Sequence, residues 1–199
     1  MSDLAEQRGM ETEVYQPAED SKLLADVAVD SVGDTDRVLD VGTGSGYVAG
    51  RIASETEAGV VASDVNPHAC RQARDNAREE SVPLDVVRGD CTRPFDAETF
   101  DVVTFNPPYL PRDEAAERDD WMERALTGGE TGREVIESFL DDVARVLTTE
   151  GVVLLLVSTL TDIEAVAGYA AERNLAAETA REESFPFERL AILEITEKH

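Results

Sequence analysis

Four segments of this 199-residue chain bring together residue types that can do chemistry. Val38-Leu-Asp-Val-Gly-Thr-Gly-Ser-Gly46 passes from an apolar run into three glycines. Asp64 follows Gly44 by twenty positions, Asp90 and Cys91 close a third apolar run, and Phe105-Asn-Pro-Pro-Tyr109 closes a fourth. The first three segments read as a cofactor crevice and the fourth as the place where a reacting group is held.

Glycines after a strand let the backbone turn sharply and let a ligand approach the peptide groups closely. Asp40 sits within the strand's end, where a carboxylate would oppose a phosphate but could accept hydrogen bonds from an ammonium group. The loop reads GxGxG instead of the GxGxxG of dinucleotide sites. Asp64 falls where an acidic side chain can bind both hydroxyls of an adenosine ribose. Asp90 and Cys91 fall where the adenine ring would lie. Three acidic residues at the carboxyl ends of successive strands mark the crevice in which open α/β sheets bind ligands. A ligand with an ammonium, a ribose and an adenine but no phosphate is S-adenosylmethionine, whose product is S-adenosylhomocysteine.

Asn106-Pro-Pro-Tyr109 suits a weak nitrogen nucleophile. The lone pair of an amide or aromatic amine is delocalised, and no side-chain base near neutral pH removes its proton. A site can still orient it: the Asn106 side-chain oxygen and the Pro107 carbonyl can accept both N–H bonds of a planar –NH2 group and aim its lone pair. The prolines Pro107 and Pro108 stiffen the turn, and Tyr109 is expected to offer a face for the planar group. A nucleophilic hydrolase is excluded because Ser45 has Thr43 and Tyr47 where a nucleophile elbow needs glycines. Cys70, Cys91, His68 and His199 supply no zinc spacing. His68 reads as a first-turn helix residue, His199 as a frayed terminus, Cys91 as a pocket wall and Cys70 as helix packing.

The elements that must position these residues alternate between β-branched runs and helical patterns, the signature of a sheet with helices on both faces. The predicted strands are Arg37–Val41, Gly59–Asp64, Leu84–Gly89, Phe100–Phe105 and Gly151–Thr159. The run Gly151 to Val157 lacks alternation, as in a strand buried on both sides. Helices are predicted at Ser21–Val29, Tyr47–Ser54, Pro67–Glu80, Gly132–Leu147 and Asp162–Arg173. Asn66 should cap the third of these, with Pro67 at its first position, and Thr161 with Glu164 should form a capping box on the last. Leu175–Ser184 and Leu190–Thr196, separated only by the Phe185-Pro-Phe187 region, should form an antiparallel hairpin. The chain is thus expected to be one α/β domain over residues 1–199, with a flexible start at 1–13. Pro111–Arg133 is its one long connection, and a loop of that length is usually functional or mobile.

With 18 Lys+Arg against 43 Asp+Glu, the net charge is −25 and the pI about 4.2. At 42% apolar residues the chain can bury a core, which excludes a disordered acidic tail. Acidic residues are spread along the chain, which favours a halophile's hydrated surface over the other reading, a surface for a basic partner. No apolar run reaches a membrane span, and the start lacks a signal sequence, so a soluble, cytoplasmic, reduced protein is expected.

The glycine loop with Asn106-Pro-Pro-Tyr109 resembles the class I, Rossmann-like amino-methyltransferases, whose central sheet is mostly parallel and seven-stranded with a C-terminal antiparallel hairpin. Val14-Tyr-Gln-Pro-Ala-Glu-Asp-Ser21, Asp64-Val-Asn-Pro67 and Gly128-Gly-Glu-Thr-Gly-Arg-Glu-Val135 narrow the resemblance to the release-factor glutamine methyltransferases of the archaeal and eukaryotic, HemK-related branch. A start close to the cofactor segment fits that branch, which lacks the helical domain of the bacterial one.

The resemblance implies that Ser21, Asp40, Gly42, Gly44, Asp64, Asp90, Cys91 and Asn106 contact S-adenosylmethionine, and that Asn106, Pro107, Pro108 and Tyr109 hold a substrate glutamine. Asp40 stands where Glu is often found. The glutamine would be that of the Gly-Gly-Gln loop of a class I translation termination factor, methylated at N5. A small, often zinc-binding activator protein would form a heterodimer by adding a strand at Leu84–Arg88, and Trp121, in the charged connection, would either lie over the substrate or pack locally. DNA or RNA adenine N6-methylation is the alternative with the same motif. The acidic surface and the lack of a recognition region weigh against it, the second more strongly because molar salt screens surface charge within ~3 Å.

Overall fold

In the computed structural model, which describes Val14 and residues 18–110 and 127–198, the β-branched runs become seven strands of one sheet. These are β1 Arg37–Val41, β2 Gly59–Asp64, β3 Asp85–Arg88, β4 Phe100–Phe105, β5 Leu147–Ser158, β6 Leu175–Ser184 and β7 Arg189–Glu197. Their order is β3-β2-β1-β4-β5-β7-β6. The first five are parallel, and β7 is antiparallel to both β5 and β6. This is the expected parallel sheet finished by a hairpin.

Leu154 to Val157 are fully buried because both faces of β5 are covered. On one face α1 Glu19–Ser31 and α2 Tyr47–Glu55 pack Leu24, Ala28 and Ile52 against Val38, Val102 and Leu154. On the other, α4 Glu134–Leu140, α5 Val143–Val146 and α6 Ile163–Ala171 pack Ile136, Phe139 and Val166 against Leu39, Val103 and Leu155. Each of these Val, Leu, Ile and Phe side chains stabilises the fold by roughly 1.5–3 kcal/mol. α3 Pro67–Glu80 starts as its sequence requires, with the Asn66 side chain accepting from His68 N at 2.9 Å.

Local expectations fail in three places. The single helix over Gly132–Leu147 is two, α4 and α5, broken at Asp141–Asp142. Gly132 has φ 77° and cannot open a helix, while the Asp142 carboxylate is drawn away to accept from Thr92 Oγ1 at 2.7 Å and from Arg145. β5 begins at Leu147, not Gly151, because Leu147 pairs with Phe100 before the register shifts. α6 is capped by Asp162, whose side chain accepts from Ala165 N at 3.2 Å. The Thr161–Glu164 capping box does not form, since the Thr161 hydroxyl donates to Ser158 O at 2.8 Å.

The strand order sets the site. From β1 the chain winds to β2 and β3, then returns to place β4 on the other side of β1. Between β1 and β4 lies the switch point at which parallel sheets leave a crevice. Trp121, His199, Tyr15–Pro17, the expected flexible start and most of the Pro111–Arg133 connection lie outside the described residues.

Candidate active site

A cavity of about 260 Å³ opens at this switch point, lined by the glycine loop, the ends of β2 and β4, and the start of α1. Asp40 forms its floor. It is 2% exposed and accepts from Thr43 Oγ1 at 2.6 Å and Thr104 Oγ1 at 2.7 Å. Burial pushes its carboxyl up to about 6, against the pull of those two hydroxyls. Thr104 reaches it because β4 pairs Thr104 directly with Asp40, a link between residues 64 positions apart that sequence spacing does not reveal.

Gly42, Gly44 and Gly46 all adopt positive φ, and the last is forced: a Cβ there would lie 2.9 Å from Ala73 Cβ of α3. The loop is fastened at the mouth by Asp64, whose carboxylate accepts from Gly44 N at 2.9 Å and Asn66 N at 2.8 Å. Burial raises the Asp64 pKa, and these backbone donors lower it.

Asp90 and Cys91 stand two and three residues past the end of β3, beyond the strand end expected from sequence. Asp90 is an exposed rim residue paired with Arg93 at 2.5 Å. Cys91 lies in the cavity wall in a left-handed conformation, φ 48°. Burial, with Asp90 beside it, pushes its thiol up to about 12, so it stays protonated at neutral pH and is no nucleophile. Cys70 is buried in α3, as expected of a packing residue.

The Asn106–Tyr109 turn forms the opposite wall. Asn106 Nδ2 donates to Ser21 Oγ at 3.3 Å, which leaves the amide oxygen as acceptor. Pro107 is buried and Pro108 half-buried. The Tyr109 ring, expected as an open platform, is only 4% exposed, and its hydroxyl donates to Asp20 Oδ2 at 3.3 Å. Asp20, 3% exposed, also accepts from Ser21 N at 2.6 Å. It is the main residue that sequence reasoning missed. Beside Ser21 at a helix start it resembled any first-turn acid, and only Tyr109, 89 positions away, distinguishes it.

Four aspartates, at 20, 40, 64 and 90, line this cavity, and none of its described lining residues is Lys, Arg or His. Such a lining repels phosphates and suits a cationic ligand. S-adenosylmethionine, with its ammonium and positively charged sulfur, fits this donor set; a dinucleotide does not.

The family model described as Methyltransferase small domain matches residues 18–185. A protein of Methanocaldococcus jannaschii, provisionally named a protein N5-glutamine methyltransferase, is 34% identical over 181 residues, 91% of this chain and 90% of that one. Methyltransferase HEMK2 of Homo sapiens is 30% identical over 197 residues, 95% of this chain and 92% of its own. Among solved structures, the E. cuniculi Mtq2-Trm112 complex, described as responsible for methylation of the eRF1 translation termination factor, matches with a TM-score of 0.75 at 28% identity. That match covers 94% of this chain and 100% of the other.

Proposed function

The chain belongs to the methyltransferase small domain family, and from that premise we propose that it transfers a methyl group from S-adenosylmethionine to the side-chain amide nitrogen, N5, of the glutamine in the Gly-Gly-Gln motif of a class I translation termination factor. The N5-glutamine name of the Methanocaldococcus jannaschii relative and the eRF1-methylating neighbour support this substrate. The observation that carries the reading is the bond from Asn106 Nδ2 to Ser21 Oγ, because it commits the amide nitrogen to the protein and reserves the amide oxygen for a substrate N–H.

S-adenosylmethionine supplies a methyl group on a positively charged sulfur. Asp40, with Gly42 and Gly44 beside it, would receive the ammonium end, and Asp64 the ribose hydroxyls. Asp90 and Cys91 would border the adenine, and Ser21 and Asn106 would close the other side. Asn106 Oδ1 and the Pro107 carbonyl accept the two N–H groups of the glutamine amide. Those bonds favour rehybridisation at nitrogen, turn its lone pair toward the cavity and grow stronger as the nitrogen gains positive charge. As the N–CH3 bond forms at the expense of the sulfonium S–CH3 bond, the nitrogen loses one N–H proton to water, which leaves a neutral N5-methyl amide. Pro108 and Tyr109 keep the turn rigid.

In this reading the protein works as a heterodimer with a small, often zinc-binding activator protein, and the Mtq2-Trm112 pairing of the solved neighbour supports such a partner. The docking edge is β3, whose strand neighbour among the described residues is β2 alone. Arg74 covers the Val86 carbonyl at 2.7 Å, a guard of the type edges carry against promiscuous pairing. We place the protein in the cytoplasm and its acidic surface in high salt. Among the described residues no helix is long and apolar enough to cross a membrane.

Incubating the protein and its activator with methyl-labelled S-adenosylmethionine tests the reading, with termination factor or nucleic acid as acceptor. Label in a protein glutamine is expected. Label in adenine and none in protein would establish the N6-adenine alternative instead.

A further inference from the structure

The segment Gly128-Gly-Glu-Thr-Gly132 is built onto the backbone of the Asn106–Tyr109 turn. Leu110 and Thr127 form a single parallel bridge, Gly128 N donates to Leu110 O at 3.0 Å, and Glu134 N donates to Gly128 O at 3.0 Å. A Cβ at Gly128 would lie 2.6 Å from Pro108 O and 2.2 Å from Gly132 O, and a Cβ at Gly132 would lie 2.6 Å from Tyr109 O. The two carbonyls that follow Pro107 are therefore packed at distances no residue with a side chain permits. The segment is braced in turn, with Thr131 N donating to Glu134 Oε1 at 3.0 Å and Arg133 donating to Thr161 O at 3.2 Å.

We propose that Gly128 and Gly132 are positioning residues that clamp the Pro108 and Tyr109 carbonyls and thereby fix the direction of the Pro107 carbonyl and the Asn106 amide. The proposal rests on the assignment of that turn to the substrate amide. Proline fixes φ at Pro107 and Pro108, so the freedom left in the turn is rotation of its peptide planes, and packing against two successive carbonyls removes it. Neither glycine touches the reacting atoms; each acts through the turn.

Three variants test the clamp: Gly128→Ala, Gly132→Ala and, as a control, Gly168→Ala, where an added Cβ meets nothing within 4 Å. A carbonyl displaced by most of an ångström should lower kcat by ~10–100-fold in the first two, while KM for the termination factor and calorimetric cofactor affinity stay near wild type. Gly168→Ala should match wild type. Glu134→Ala, which withdraws the brace without inserting an atom, should lower kcat less and in the same pattern, and it covers the case in which an alanine clamp variant fails to fold. Unchanged kcat in folded Gly132→Ala and Glu134→Ala would overturn the proposal, as would a fall in kcat matched by an equal loss of cofactor affinity. An inactive wild type would overturn the substrate reading and the clamp with it. An active wild type matched by its variants would overturn the clamp alone.

Discussion

The Tyr109 hydroxyl donates to Asp20 Oδ2 at 3.3 Å, and this bond ties the end of the Asn106–Tyr109 turn to the first turn of α1. Asn106 at the other end of the turn is tied to Ser21, the next residue of the same helix. α1 is itself held by Leu24 and Ala28, both fully buried, so the turn inherits the rigidity of the core.

Tyr109→Phe keeps the ring and removes the donor from a buried carboxylate. At 3.3 Å the bond is long for a hydroxyl donor, and denaturant unfolding should show a loss of about 0.5–1.5 kcal/mol. Turnover should fall by about tenfold, with calorimetric cofactor affinity little changed. Full turnover in this variant would show that the tie to α1 has no part in aiming the turn.

Asp64→Ala removes the acceptor shared by Gly44 N and Asn66 N. The glycine loop loses its anchor as well as the carboxylate proposed for the ribose. Cofactor affinity should fall by about 10–100-fold, in line with one or two charged hydrogen bonds. An unchanged affinity measured by calorimetry would contradict the placement of the ribose at Asp64.

As the proposed partner of the cofactor's ammonium, Asp40 should make cofactor binding depend on pH. Its folded-state pKa is raised from 3.8 to about 6, chiefly by burial. Between those values the folded chain binds a proton more readily than the unfolded chain, so the contribution of Asp40 to stability falls as pH rises across the window, by about 3 kcal/mol in all. An ammonium group prefers the ionised carboxylate. Cofactor affinity should therefore climb by up to about tenfold per pH unit below pH 6 and level off above it. Asp40→Asn should weaken binding and flatten the profile. Calorimetry across this range that finds no slope in the wild type would contradict the assignment of the ammonium to Asp40.

Much of this was legible in the sequence where local and global preferences agree. Val38 to Val41 and Phe100 to Phe105 read as strands because apolar β-branched runs have no better use than a buried sheet, and Asn66-Pro67 read as a helix start because the cap needs only its immediate neighbours. What stayed hidden depends on partners far along the chain. Thr92 and Arg145 break the helix at Asp142, and Phe100 draws Leu147 into β5. Asp20, one acid among 43 Asp+Glu, becomes distinctive only when the fold sets it against Tyr109. Asp162 replaced Thr161 as a cap because the Thr161 hydroxyl turns back onto Ser158. The Asn106-Pro-Pro-Tyr109 turn itself was visible as a motif, and Ser21 as a site residue, but the bonds that tie the turn's ends to Ser21 and Asp20 were not.

Methylation of one glutamine, with Asn106 as the group that aims it, is the central claim. The direct measurement is peptide-resolved mass spectrometry of the termination factor from cells with the gene, without it, and with only Asn106→Ala. A single methyl group on the Gly-Gly-Gln glutamine is expected in the first case and none in the other two, with purified Asn106→Ala still binding cofactor at near wild-type affinity. A methylated glutamine in cells lacking the gene, or in cells carrying only Asn106→Ala, would contradict the claim.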